Sequence, residues 1–207
     1  MPSKNPIKYG FNERLAFSQS ESSNGEVGSI LVAHVPTAVR AWVATKEQDK
    51  TGIDWFVELS SGRVVGVDCK IREEDYSLRD PAKDDVALET WSKVEQRKVG
   101  WTLDESKRCD YILWLWKDTG RWMLVPFLYL LEVFRENKRK WIQQYGESTQ
   151  FTPSKNAWHS NCIFVPRKEL WAEIYKKFGG AGRIKKPTQK VYEPEAGSAE
   201  WFLETEK

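Results

Sequence analysis

Asp54, Asp68 and Lys70 are the residues of this 207-residue chain whose types and spacing could do chemistry. They fall in one stretch, GIDWFVELSSGRVVGVDCKIR, residues 52–72. Side chains alternate faces along a strand with period two, so Asp68 and Lys70 share one face and Cys69 takes the other. Both apolar runs are β-branched or aromatic, and Ser60, Ser61 and Gly62 between them read as the turn of a β-hairpin. A hairpin closing there brings Asp54 to the end that holds Asp68 and Lys70. The opposite face, with Trp55, Val57, Val67, Cys69 and Ile71, is apolar and belongs in a core.

Two carboxylates converging on one point suit a hard divalent cation, because Mg²⁺ takes oxygen ligands and typically one or two carboxylates. A lysine two residues from such a ligand can orient a water or stabilise charge building on a phosphate. Together these parts describe metal-assisted hydrolysis of a phosphodiester. An isolated Asp68 inside VVGVDCKI would be costly without a partner. The competing reading has Asp54 capping a strand while Asp68 and Lys70 form a solvated edge pair.

The stretch resembles the PD-(D/E)xK, or restriction-endonuclease-like, nuclease superfamily, whose signature is an Asp, a hairpin, then Asp or Glu, any residue and Lys. GID, ending at Asp54, stands for the first half, with Ile53 where the family often has Pro. DCK, residues 68–70, stands for the second, and thirteen residues separate the two aspartates. The resemblance covers residues from about 30 to 125 and implies a helix, three strands, a helix and a strand. It also implies Mg²⁺, with Mn²⁺ as a substitute, held by Asp54, Asp68 and the main-chain carbonyl of Cys69. Lys70 would act on the attacking water. The family often adds a Glu from its first helix; Glu47 lies rather close to Asp54 for this and Glu26 rather far upstream. Glu89 in VALETWSK is a further active-site candidate, mid-strand on the face it shares with Ala87 and Trp91, beyond the DxK strand. Its competing reading is a carboxylate paired with a nearby Lys or Arg. Glu58 is a weaker candidate on the same side as Asp54.

These residues need a scaffold, and the rest of the chain supplies one. Residues 1–28 are polar and expected to be poorly ordered or peripheral, residues 29–178 form the domain, and residues 179–207 read as a basic, then acidic tail. SILVAHVPTAVRAWVAT, interrupted by Pro36, predicts two short helical pieces or one kinked helix. VALETWSKV predicts a third strand, and DYILWLW and RWMLVPF two more around the turn KDTG. FLYLLEVFRENKRKWIQQYG is the clearest helix, opening after Pro126 and closing at Gly146. NCIFVP predicts a last strand and RKELWAEIYKKF a last helix. The expected fold is α/β (α+β), a single domain with a central mixed sheet flanked by helices.

Apolar residues make up 40% and charged residues 30%, ordinary for a globular protein. A formal charge of +2 excludes a uniformly basic nucleic-acid coat, so any basic surface must be local. WSKVEQRKVGW offers one, with Lys93, Arg97 and Lys98 between Trp91 and Trp101, residue types suited to phosphate contact and base stacking. The expected partner is nucleic acid, with DNA favoured, and double-strand cutting would favour a symmetric homodimer. The competing function is a nuclease-fold protein that only binds nucleic acid or a protein partner. His159 in NAWHSN reads as a surface or packed histidine. Three well-separated cysteines without a CxxC pair indicate neither a zinc site nor a disulfide framework, and reduced thiols fit a cytoplasmic protein. The first twenty residues lack the apolar core of a signal peptide, and no apolar window of about 18 residues would span a membrane. The absence of a Gly-rich phosphate loop, a zinc-spaced His pair and GxSxG argues against a kinase, a zinc hydrolase and an α/β-hydrolase.

Overall fold

The computed structural model describes residues 24–152 and 157–179. The polar N-terminal segment up to residue 23 and the charged tail from residue 180 lie outside the described residues. The first helix, α1 (Gly25–His34), starts where the Asn24 side chain accepts the Glu26 N–H at 3.2 Å, an N-cap that satisfies one orphan donor. It ends ahead of Pro36, whose ring disfavours helical backbone at the preceding residue; Val35 is accordingly extended. Thr37, at a φ of 64°, turns the chain. The next element is a strand, β1 (Ala38–Val43), and not the second helical piece that the apolar run suggested. The proline resets the backbone, and AVRAWV then pairs along the neighbouring strand.

A one-turn helix, α2 (Lys46–Asp49), leads into β2 (Trp55–Leu59) and β3 (Val64–Arg72), the expected hairpin. Its turn uses Gly62 at a φ of 80°, a left-handed conformation that glycine adopts without Cβ strain. Later in the chain come β4 (Asp85–Lys93), β5 (Lys98–Val99), β6 (Tyr111–Trp116) and β7 (Arg121–Pro126). The long helix α3 (Phe127–Tyr145), β8 (Ser148–Thr152), β9 (Trp158–Pro166) and α4 (Arg167–Ile174) complete the order.

Two sheets result. The larger has the order β1-β2-β3-β6-β7 and is mixed: β3 and β6 run parallel, and every other neighbouring pair is antiparallel. The smaller has the order β5-β4-β9-β8. The strand expected from VALETWSKV exists, but it belongs to this second sheet, where Val86 and Leu88 pair with Val165 and Ile163. Its alternation of buried Val86, Leu88 and Thr90 with half-buried neighbours is what makes it a strand. Residues 73–110 hold no α-helix, so strands and 3₁₀ turns stand where the resemblance implies a helix between the third strand and the one after it. The protein is a single compact α+β domain.

The larger sheet is covered on both faces. On one, α1 buries Val27 and Leu31 against Trp55, Val57, Val67 and Cys69, the face that alternation assigned to the core. On the other, Ile112, Trp114 and Met123 join residues of α3, α4, β4 and β9 in a second core. Cys69, Cys109 and Cys162 are buried free thiols. Among the described residues no helix is long and apolar enough to cross a membrane.

Asp110 fixes the parallel register on which the site depends. Its carboxylate accepts the Gly66 N–H at 2.8 Å and an Arg63 guanidinium N–H at 2.9 Å, and its own N–H donates to the Gly66 carbonyl at 2.7 Å. This clamp starts β6 beside β3 so that Asp68 falls opposite Ile112 and Lys70 opposite Trp114. Asp110→Ala leaves the Gly66 amide, on a buried residue, without its acceptor. The expected loss is about 1–3 kcal/mol in chemical denaturation, with Asp110→Asn, which keeps an acceptor oxygen, losing less.

Candidate active site

Asp54 lies one residue before β2 and continues its ladder on both sides. Its N–H donates to the Val67 carbonyl at 2.9 Å, and its carbonyl accepts from Ala44 at 2.8 Å. The register pairs Trp55 with Val67, so one further residue sets Asp54 opposite Asp68 on the adjacent strand. Both carboxylates then occupy the face that carries Lys70. Asp54 Oδ2 accepts the Cys69 N–H at 2.6 Å. A strand residue directs its N–H and C=O to the same side, so the Cys69 carbonyl also points toward Asp54, past the end of β2. Its thiol belongs to the opposite core, which leaves only its main chain to the site.

Asp68 is 4% exposed and is met by two cations. Lys70 Nζ lies 2.8 Å and Lys107 Nζ 2.7 Å from its Oδ2. Neither contact has hydrogen-bond alignment at Oδ2, while Lys70 donates to Oδ1 at 2.9 Å. Burial alone would raise the Asp68 carboxyl; Lys70 and Lys107 overcome it and hold the group below its ordinary range. Burial would likewise lower the Lys70 ammonium, but the Asp68 charge outweighs that and raises it. Asp54 has no such partner. Burial first, then the neighbouring Asp68 charge, push it up to about 7.

Lys107 lies 37 residues beyond Lys70 in sequence, in the loop before β6, and its side chain is 7% exposed. Sequence reasoning missed it. The run ESKRC looks like any charged loop, and nothing local announces that one of its lysines reaches Asp68. Trp101 forms the floor beneath both ammoniums, with its ring 4.8 Å from Lys70 Nζ and 5.9 Å from Lys107 Nζ.

Glu89 reaches this group from the other sheet. It stands on β4, not on a strand of the sheet that holds Asp68, which corrects its expected place beyond the DxK strand. Its Oε2 accepts the Trp101 N–H at 3.0 Å, and its charge helps to raise Lys70. Gly100 permits this approach, since a Cβ there would lie 2.4 Å from the Glu89 carbonyl oxygen. Asp54, Asp68 and Glu89 thus all act electrostatically on Lys70, and Lys107 joins the group at Asp68. Among the described residues no group of three His, Cys, Asp or Glu side chains is placed to hold one metal ion.

The other candidates fall outside the cluster. Glu58 pairs with Arg40 at 2.5 Å across β1 and β2, Glu26 with Lys117 at 3.6 Å, and Glu47 is exposed on α2. His159 Nδ1 meets Glu95 at 2.5 Å, tying β9 to the turn after β4. Lys93, Arg97 and Lys98 form the β4–β5 hairpin on the second sheet. Lys93 and Lys98 face each other in register, Lys93 Nζ lies 5.0 Å from the Trp158 ring, and Arg97 takes a left-handed φ of 51°. Like charges directly opposite cost stability unless an anion lies between them. The hairpin runs straight into Gly100 and Trp101, which joins this basic surface to the floor of the site.

No protein-family model, curated protein or solved structure matches the chain significantly.

The Asp54 environment carries a pH signature in the metal-free protein. Its folded pKa, about 7, lies above the unfolded value near 3.9, so the folded state holds this proton more tightly. The stability it contributes is complete below about pH 4 and lost as pH rises through about 7. Asp54→Asn, which can still accept the Cys69 N–H, removes that slope. Urea denaturation at pH 5 and pH 8 should show the variant gaining on the parent by roughly 2 kcal/mol between the two values. A constant difference would mean that Asp54 titrates as an ordinary surface carboxylate.

Proposed function

We propose that the chain is a divalent-metal-dependent nuclease that hydrolyses phosphodiester bonds, with DNA as its substrate. One observation carries this reading: Asp54 and Asp68 stand opposite each other at the end of a β-hairpin, with Lys70 two residues on along the same face. The donor set suits Mg²⁺ or Mn²⁺, since both carboxylates and the Cys69 carbonyl are hard oxygen donors aimed at one region. The charge of Asp68 disfavours ionisation of the neighbouring Asp54, a repulsion that a cation bound between the two carboxylates would relieve. When bound, such an ion supplies Lewis acidity toward a phosphoryl oxygen and lowers the pKa of its water.

The chain's own groups account for the rest. Asp54 is held by the Cys69 N–H and Asp68 by its place on a central strand, so both carboxylates are positioned before any substrate arrives. Lys70, 29% exposed at its side chain, can direct its ammonium toward an attacking water or a phosphoryl oxygen. Glu89 anchors Trp101, over which Lys70 sits. Lys93, Arg97 and Lys98 supply phosphate contacts beyond the site.

A second reading rests on a specific observation. Asp68 already has two lysine partners, a state in which the fold needs no metal, so the same surface could serve a protein that only binds nucleic acid. Cleavage of supercoiled plasmid, single-stranded DNA and RNA with Mg²⁺, Mn²⁺ or EDTA separates the two. The parent should cut DNA with either metal and not with EDTA. Lys70→Ala should lose on the order of 10²-fold or more in rate, while DNA affinity at matched salt stays within a few-fold. Lys93→Glu with Lys98→Glu should instead weaken binding and flatten its salt dependence. A parent that binds DNA yet never cuts with any divalent metal leaves the binding reading in place; preferential cutting of RNA changes the substrate.

A further inference from the structure

The position of Lys107 bears on how the site would take up its metal. Three features set this lysine apart from Lys70. It comes from outside the hairpin, on a loop in which Asp104 Oδ1 accepts the Ser106 N–H at 3.0 Å and the Asp104 carbonyl accepts the Lys107 N–H at 3.2 Å. The loop is tied to the opposing segment where the Arg108 N–H donates to the Thr51 carbonyl at 3.3 Å. Its ammonium also meets Asp68 at Oδ2, at 2.7 Å, whereas Lys70 donates its hydrogen bond to Oδ1.

The route of the lysine is built into the backbone. Its stem crosses Gly52, where an added Cβ would sit 2.5 Å from Nζ and 3.1 Å from Cγ. Beside it opens a pocket of about 460 Å³, lined by Asp49, Lys50, Thr51, Asp104, Ser106 and Arg108 as well as Lys107 itself. The ammonium thus has somewhere to go, with Asp49 and Asp104 on the pocket wall as alternative carboxylates.

We propose that Lys107 is a tethered competitor for the divalent cation: its ammonium holds Asp68 Oδ2 in the resting protein and withdraws toward the pocket when metal binds. This rests on the metal-dependent reading above and deepens it, because it makes the metal affinity of the site a property of a residue that is not a ligand. Only the fraction of molecules with Lys107 withdrawn can accept the ion, so the apparent affinity is reduced by that fraction.

The test is Mn²⁺ binding to the full chain without nucleic acid, followed by the loss of the free-ion electron paramagnetic resonance signal. Lys107→Met removes the competing charge but keeps the length of the stem, and should bind Mn²⁺ roughly tenfold more tightly than the parent, as expected if about a tenth of the molecules are open. Lys107→Arg, which retains the cation, should stay within a few-fold of the parent. Lys107→Gln, which also removes the charge but keeps a polar end, should tighten binding as well, so it carries the test if Lys107→Met fails to fold. Asp68→Asn should bind least in every background. Parent binding with no tightening in Lys107→Met or Lys107→Gln overturns the role of Lys107 while leaving the nuclease reading intact. Absence of Mn²⁺ binding in parent and variants alike overturns both.

Discussion

A single buried carboxylate, Asp68, sets the terms for this fold. Removing an ion of this size from water costs several kcal/mol even after relaxation, so it persists as a charge only with cations beside it. Lys70 lies two residues on along the same strand, and strand periodicity alone puts it on the right face. Lys107 has to be delivered by a separate loop, and much of the surrounding geometry serves that delivery. Gly52 clears its path, the Thr51 carbonyl ties its loop in place, and Trp101 spreads beneath both ammoniums.

The two aspartates differ because their partners differ. Asp68 is met by two ammoniums and stays ionised, while for Asp54 burial and the like charge of Asp68 outweigh the Cys69 N–H and the Lys70 charge, so its proton is retained up to about 7. Their separation follows from the strand register and not from local sequence. That register is the β2–β3 pairing of Trp55 with Val67, while on the far side of β3 the Asp110 carboxylate fixes the start of β6 against Gly66. A Cβ at Gly66 would meet the Ile53 side chain at 2.9 Å, so a larger residue there would displace Ile53.

The second sheet gives the site its other wall. With β4 opposed to the larger sheet and no α-helix in residues 73–110, the carboxylate of Glu89 approaches Lys70 from across the interior. Trp101 connects the two, bound at its N–H by Glu89 and covered at its ring by Lys70. The basic β4–β5 hairpin precedes this tryptophan by only a few residues, so a polyanion lying along the hairpin would run toward the carboxylates.

The sequence by itself determined the local parts. Period-two alternation identified the β2–β3 hairpin, its apolar face, and the shared face of Asp68 and Lys70, because strand geometry converts residue parity directly into side. Pro126 and Gly146 bounded α3 for equally local reasons. Alternation also marked β4 as a strand but could not assign it to a sheet, since every strand of either sheet reads alike in one dimension. The apolar run after Pro36 read as helical, because so short a run carries no decisive period, and pairing with β2 made it a strand. Lys107 and the reach of Glu89 were decided by tertiary structure alone. Both depend on contacts between segments distant in sequence, and a buried charge selects its partners by distance in space, which residue order does not encode.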